Sequence, residues 1–259
     1  MDGTHPGVAT TLHDDGVATV EVRRGPSNYF DVELIAAIAD AYEQLARTPA
    51  CRAIVLCSQG RHFCAGADLS GNGKEPGASF DPAELYRHAA RLIACPLPVV
   101  AAVQGAAVGG GLGLACTADA RVATPATRFR ANFARLGIHH GFGLTVTLPR
   151  ILGPQRARVV LLSGRDVGGE EALRIGLCDE LVEDGDLADA AHAFAAQIGS
   201  GAPLATRAIK ATLDAGVLEA FAAATDAELA NQRVHFATSD FKEGVSAMAE
   251  RREPRFLGR

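Results

Sequence analysis

Val103-Gln104-Gly105-Ala106-Ala107-Val108-Gly109-Gly110-Gly111-Leu112-Gly113 is the stretch on which the reading of the fold turns. It follows an unbroken apolar run, Pro98 to Val103, of the kind that forms a buried strand, and it leads into a short helix. A helix N-terminus presents unpaired N–H groups and a partial positive charge. Three consecutive glycines clear side chains from that spot. A second small-residue turn lies upstream, Gly60-Arg61-His62-Phe63-Cys64-Ala65-Gly66-Ala67-Asp68-Leu69, after the apolar run Ala53 to Cys57. There Ala65, Gly66 and Ala67 let another group approach the backbone closely. Each turn alone also reads as an ordinary tight turn. Together they can aim two N–H donors at one developing oxyanion.

Outward from these turns the first half alternates strands and helices, the pattern of an α/β core. Val17–Val22 reads as a strand. Asp31 caps a helix whose apolar positions, Leu34, Ile35, Ile38, Tyr42 and Leu45, fall at helical spacing. Pro82 to Ala94 reads as another helix, and Ser70 to Gly77 as a polar surface loop. The second half is mainly helical: from Pro154, over Glu170–Ile175, Leu187–Ile198 and Ala202–Leu213, from about Leu218 to Phe236, and over Ser239–Glu250. The expected division is a core over residues 1–195 and a helical region over 196–259 that serves oligomerisation.

Composition narrows the function classes. With 259 residues, 48% hydrophobic, 5% aromatic and no Trp, the chain can bury a large core built from Ala, Val, Leu and Ile. A net charge of -5 argues against nucleic acid as partner. No apolar run reaches the roughly 18 residues that cross a membrane. Met1 to Thr11 has neither a basic start nor an apolar run, so no signal peptide and a cytoplasmic location are expected. The six Cys are scattered without Cys-x-x-Cys, which reads as buried free thiols and no metal site. There is no Gly-Lys-Ser/Thr for a P-loop and no Gly-x-Gly-x-x-Gly. Cys57-Ser58-Gln59-Gly60 lacks the first glycine of a nucleophile elbow.

The two turns taken as a pair, Phe63 to Leu69 and then Pro98 to Gly105 with Gly109-Gly110-Gly111, resemble the crotonase (enoyl-CoA hydratase/isomerase) superfamily. The resemblance continues in Leu136-Gly137, in Leu148-Pro149-Arg150-Ile151-Leu152-Gly153, in Glu171 to Leu177 and from Glu243 to Phe256. It covers nearly the whole chain, from about Gly16 to Phe256. It implies an α/β fold of repeated β–β–α turns wound into a superhelix, a C-terminal helical trimerisation region, and a homotrimer or dimer of trimers. It implies an acyl-coenzyme A thioester as substrate, with coenzyme A as part of that substrate and no other cofactor. By position, Ala67 and Gly110 supply the oxyanion-hole N–H groups. Ala65, Gly66, Ala67, Asp68 and Leu69 line the coenzyme end, and Arg23, Arg24 and Lys210 are candidates for its phosphates or else solvated surface charge.

The family's hydratases carry two glutamates, one two residues after the glycine triplet and one four residues before the glycine of the later Leu-Gly. Here those positions are Gly113 and Phe133. Neither can hold a proton, so water cannot be placed between two carboxylates for acid–base work. Phe133 instead makes the acyl pocket apolar. The best replacements are His139 and His140, adjacent in a glycine-flanked loop and titrating near working pH. Adjacent residues rarely both face one pocket, so at most one of the two is expected to act. Asp68 reads better as a helix cap than as a base, and His62, Tyr86 and His88 are weaker candidates. Two readings stand: an enzyme with altered catalytic residues that hydrates, isomerises, decarboxylates or hydrolyses an acyl-CoA, and a non-catalytic acyl-CoA binding or carrier protein.

Overall fold

The structure is a computed structural model that describes residues 2–5, 7–68 and 82–259. Leu69 and the loop Ser70 to Gly77 lie outside the described residues. In chain order the elements are β1 (Asp2–His5), β2 (Val8–Leu12), β3 (Val17–Val22), α1 (Val32–Ala46), β4 (Ala53–Ser58), α2 (Pro82–Ile93), β5 (Val99–Val103), β6 (Ala106–Val108), α3 (Gly110–Cys116), β7 (Ala120–Ala123) and β8 (Arg128–Arg130). There follow α4 (Leu144–Leu152), α5 (Pro154–Ser163), β9 (Asp166–Gly168), α6 (Gly169–Ile175), β10 (Glu180–Leu181), α7 (Leu187–Gly199), α8 (Pro203–Leu213), α9 (Val217–Phe236) and α10 (Ser239–Ala249).

One sheet of seven strands runs in the order β1-β2-β3-β4-β5-β7-β10, and a second sheet of three runs β6-β8-β9. β1, β2 and β3 pair antiparallel, whereas β3, β4, β5, β7 and β10 pair parallel. The parallel strands read as near-continuous apolar runs because both faces of the sheet are covered. On one face Val17, Ala53, Val55, Val100, Ala102, Ala120 and Val122 pack against Leu187, Ala191 and Ala195 of α7. The alternate residues, such as Val20, Ile54, Leu56, Ala101 and Val103, enter the larger core with Leu34, Ile38 and Tyr42 of α1 and Leu85 and Leu92 of α2. α7 runs through residue 195, so the expected division at 195/196 falls inside a helix.

Local chemistry explains the main boundaries. Asp31 accepts the Leu34 N–H at 2.8 Å and opens α1 as expected. Pro154 and Pro203 stand in the first turns of α5 and α8, where a missing N–H costs nothing. All six cysteines are free thiols, and burial pushes the buried Cys64 up to about 12. No helix is long and apolar enough to cross a membrane, a statement that covers the described residues.

Candidate active site

Both small-residue turns leave the carboxyl ends of parallel strands, where open α/β sheets commonly place their ligands. Phe63 donates its N–H to the Gln104 carbonyl at 2.9 Å, Cys64 to Ala106 at 3.0 Å, and Val108 back to Cys64 at 3.0 Å. The Gln104 amide donates to the Ser58 carbonyl at 2.7 Å. The turns therefore lie side by side as a short parallel ladder. Close packing at the glycines shows how tightly. A Cβ on Gly66 would stand 2.9 Å from the Val108 carbonyl oxygen, and one on Gly111 would stand 2.1 Å from that of Cys64. Gly109 has φ +57° and ψ −121°, a conformation outside the regions open to residues with a Cβ.

Ala67 pairs with Phe30 in an isolated parallel bridge, through which Phe30 donates its N–H to the Gly66 carbonyl at 3.0 Å. The N–H of Ala67 itself donates to no acceptor among the described residues. Gly110 opens α3, and its N–H also donates to none. The Phe30 ring lies against Gly110, where a Cβ would come within 2.3 Å of it. Two main-chain donors on adjoining loops thus have no acceptor among the described residues, beside a buried aromatic ring and small residues.

The segment from Phe133 to Gly143 closes over these turns. The half-buried Phe133 ring tip lies 3.8 Å from the position of a Gly109 Cβ. The same ring meets His140 edge-on, with centroids 6.4 Å apart. Phe142 packs edge-on against Phe30 at 5.6 Å and is fully buried. Its φ is +62°, which a bulky residue rarely adopts. Phe142 fills the space next to Gly113: a Cβ there would lie 2.5 Å from the Phe142 Cβ and 2.8 Å from its Cγ. A side chain at residue 113 is therefore excluded by Phe142.

The rings of His139 and His140 lie face to face. They stack at 4.2 Å with 29° between planes. Two flanking contacts hold them together. The His139 N–H donates to Nδ1 of His235 at 3.0 Å, and His139 Nδ1 donates to the His140 carbonyl at 2.7 Å. His140 Nε2 lies 2.8 Å from the Thr145 hydroxyl. Burial, then the neighbouring His139, lowers the His140 pKa to about 4, so the ring is neutral at pH 7.

Glu228 of α9 escaped the sequence reading. Fully buried, it accepts the N–H groups of Gly143 at 2.9 Å and Thr145 at 3.0 Å, and the Thr145 hydroxyl at 2.6 Å. Burial raises its pKa against those hydrogen bonds. Next to it on the same helix, Gln232 accepts the Tyr86 hydroxyl at 2.8 Å and donates to the His139 carbonyl at 3.1 Å. A signal existed in retrospect. Phe221, Thr225, Glu228 and Gln232 recur at helical spacing on the buried face of α9, and charge on a buried stripe marks a site.

The other candidates scatter. Tyr86 supports the histidine loop through Gln232. His88 contacts Arg91 at 3.0 Å, and Arg91 in turn pairs with Glu43 and Asp40. His62 lies behind Gly105, where a Cβ would stand 2.8 Å from its Nδ1. Arg23 pairs with Glu21, Arg24 with Asp31, and Lys210 with both Asp119 and Asp214, so each cation already has a carboxylate partner. Ala65 donates its N–H to the Ser27 carbonyl at 3.0 Å and Gly66 has φ +92°, which sets the path of the chain into Ala67 and Asp68. No cluster of three metal-ligating side chains occurs among the described residues.

A sequence model of the enoyl-CoA hydratase/isomerase family matches residues 13–259. Among similar proteins, a probable enoyl-CoA hydratase of Rhodobacter capsulatus is 40% identical over 211 residues, 80% of this chain and 82% of that one. A 1,2-epoxyphenylacetyl-CoA isomerase of Escherichia coli is 31% identical over 253 residues, 95% of this chain and 97% of that one. The crystal structure of an enoyl-CoA hydratase/isomerase from Pseudoalteromonas atlantica superimposes with a TM-score of 0.85 at 30% identity, covering 97% of this chain and 100% of that one.

Proposed function

The chain belongs to the enoyl-CoA hydratase/isomerase family, and on that premise we propose that it moves a proton on an acyl-coenzyme A thioester through an enolate, with His140 as the proton carrier. The thioester oxygen accepts from the Ala67 and Gly110 N–H groups. Charge that develops there during α-proton removal is met by two fixed dipoles, one of which opens a helix. One such donor contributes on the order of 10²–10³ in rate. Ala65, Gly66 and Asp68 line the coenzyme end, and Phe133 walls the acyl side. Coenzyme A enters as part of the substrate, and no further cofactor takes part.

The single observation that carries this reading is the pair of unpaired N–H groups on two loops laced together by hydrogen bonds. The choice of reaction follows from what remains beside them. Hydration of a double bond by this family's route takes two carboxylates, and Phe142 leaves no room for a side chain at Gly113. A single base that takes a proton from one carbon and returns it at another needs no second carboxylate, which favours isomerisation. His140 suits that role better than His139. Its Nε2 is engaged by Thr145 while Nδ1 makes no hydrogen bond among the described residues, whereas the Nδ1–H of His139 is used by the adjacent carbonyl.

The test is α-proton exchange. Purified protein is incubated in D₂O with saturated, 2-enoyl and 3-enoyl thioesters, and deuterium is read by mass spectrometry. Exchange at the α-carbon that is lost in His140→Ala supports the reading. A second reading, a non-catalytic acyl-CoA binder, is favoured by the filled space at Gly113. It predicts calorimetric binding without exchange in either protein. We also infer a homotrimer or dimer of trimers, a cytoplasmic enzyme, and an oligomerisation region over 196–259. The exposed Leu204, Ile209 and Leu213 of α8 supply apolar surface for that region.

A further inference from the structure

We propose that Glu228 is a positioning residue for His140: through the Thr145 hydroxyl it fixes the imidazole as the Nε2–H tautomer and leaves Nδ1 as the proton acceptor. The proposal rests on the reading that His140 carries the proton.

An ionised carboxylate only accepts hydrogen bonds, and a hydroxyl has one proton to give. Three donors converge on the two Glu228 oxygens, the N–H groups of Gly143 and Thr145 and the Thr145 hydroxyl, an arrangement that favours the ionised carboxylate against the effect of burial. The Thr145 proton therefore points to Glu228, at 2.6 Å. What the hydroxyl offers His140 at 2.8 Å is a lone pair, and Nε2 must bring the proton to that contact. In a neutral imidazole the other nitrogen is then the acceptor, because the bond made by one ring nitrogen sets the role of the other. Glu228 itself lies 3.8 Å from His140 Nε2, close enough to favour a proton there.

The alternative role for Glu228 is a cap for the first turn of α4. Its bonds to the Gly143 and Thr145 N–H groups serve that role. The third bond, to a side-chain hydroxyl that in turn meets the catalytic ring, does nothing for the helix end. The remaining groups around the imidazole are consistent with a fixed ring. His139 stacks on one face, Phe133 meets it edge-on, His235 lies beyond His139, and Tyr86 reaches the same loop through Gln232.

The first readout uses the full chain labelled with ¹⁵N-histidine and needs no substrate; the second is α-proton exchange on an acyl-CoA thioester. The His140 resonances are assigned by their loss in His140→Asn, and their shifts report which nitrogen carries the proton. Wild type is expected to show Nε2–H. Thr145→Val, which keeps the shape and removes the hydroxyl, is expected to shift the ring to the other tautomer or a mixture. It should also slow α-proton exchange at least about tenfold, within the roughly 10²–10⁴ that a positioned acid or base contributes, with acyl-CoA affinity unchanged. Thr145→Ser keeps the hydroxyl and restores both, and Glu228→Gln behaves as Thr145→Val. An Nδ1–H wild-type ring, or a Thr145→Val protein with unchanged tautomer and rate, overturns the proposal. Failure of the functional reading looks different: His140→Asn exchanges at the wild-type rate whatever the tautomer.

Discussion

Gly113→Ala separates two opposed effects. Gly113 lies inside α3, and an interior helical glycine replaced by alanine ordinarily gains about 1 kcal/mol. Here the new Cβ would meet Phe142 Cβ, Cγ and Cδ1 at 2.5, 2.8 and 2.9 Å. The nearest of these is tied to the backbone and cannot swing aside. Overpacking of a full core costs about 1–3 kcal/mol, and this geometry places the cost near the upper figure. The net is about 2 kcal/mol of destabilisation, a fall of about 4–8 °C in Tm for a chain of this size. Phe142→Gly removes the obstructing atoms and suits a residue at φ +62°, although the lost ring makes that variant less stable than wild type. In the Phe142→Gly background, Gly113→Ala should be stabilising by about 1 kcal/mol, giving a coupling of about 3 kcal/mol between the positions. Thermal unfolding of the four proteins of this cycle measures it. A rise in Tm for Gly113→Ala in the wild-type background, or the same change in both backgrounds, would refute the claim that Phe142 excludes a side chain at residue 113.

The remaining predictions concern chemistry and pH. Gly113→Glu alone is expected to give no hydratase activity, read as hydration of a 2-enoyl thioester, because its carboxyl has no space. His140→Ala should slow α-proton exchange by about 10²–10⁴ while binding of the thioester persists. His140 has a folded pKa of about 4, below the ordinary 6.5 of the unfolded chain. Its neutral form therefore contributes stability that is complete above pH 6.5 and is lost as pH falls through about 4, amounting to at most about 3 kcal/mol. Glu228, raised by burial, acts in the opposite sense, so the comparison that isolates His140 is denaturant unfolding of wild type against His140→Asn between pH 4 and 7. A difference in stability that does not change over that range would contradict the burial of the imidazole. Light scattering should give three or six times the chain mass, and a monomer would contradict the oligomer inferred from α8.

Local patterns carried much of the fold. The apolar runs at Val17–Val22, Ala53–Ser58 and Val99–Val103 are strands because a doubly covered parallel sheet needs no alternation. The helices that open at Pro154 and near Val217 announce themselves by an N-terminal proline and by length. α4 did not announce itself. Its sequence, Leu144 to Leu152, carries Thr and Val and contains Pro149, and its first turn is held by Glu228, more than eighty residues away in the chain. β7, β8 and β9 are three or four residues long and become strands through pairing rather than propensity. In the site the two glycine-bearing turns were legible because tight packing demands small residues in sequence. The stacked histidines and the Glu228–Thr145 contact were not, because they arise where α9 packs on the loop, and no spacing along the chain encodes that meeting.

The most direct test of the account is a crystal structure with an unreactive acyl-coenzyme A analogue bound. The account predicts the thioester oxygen about 2.7–3.1 Å from both the Ala67 and Gly110 nitrogens, with Nδ1 of His140 facing the carbon beside the carbonyl. A thioester lodged elsewhere, or those two amides turned to acceptors within the protein while ligand is bound, would contradict it.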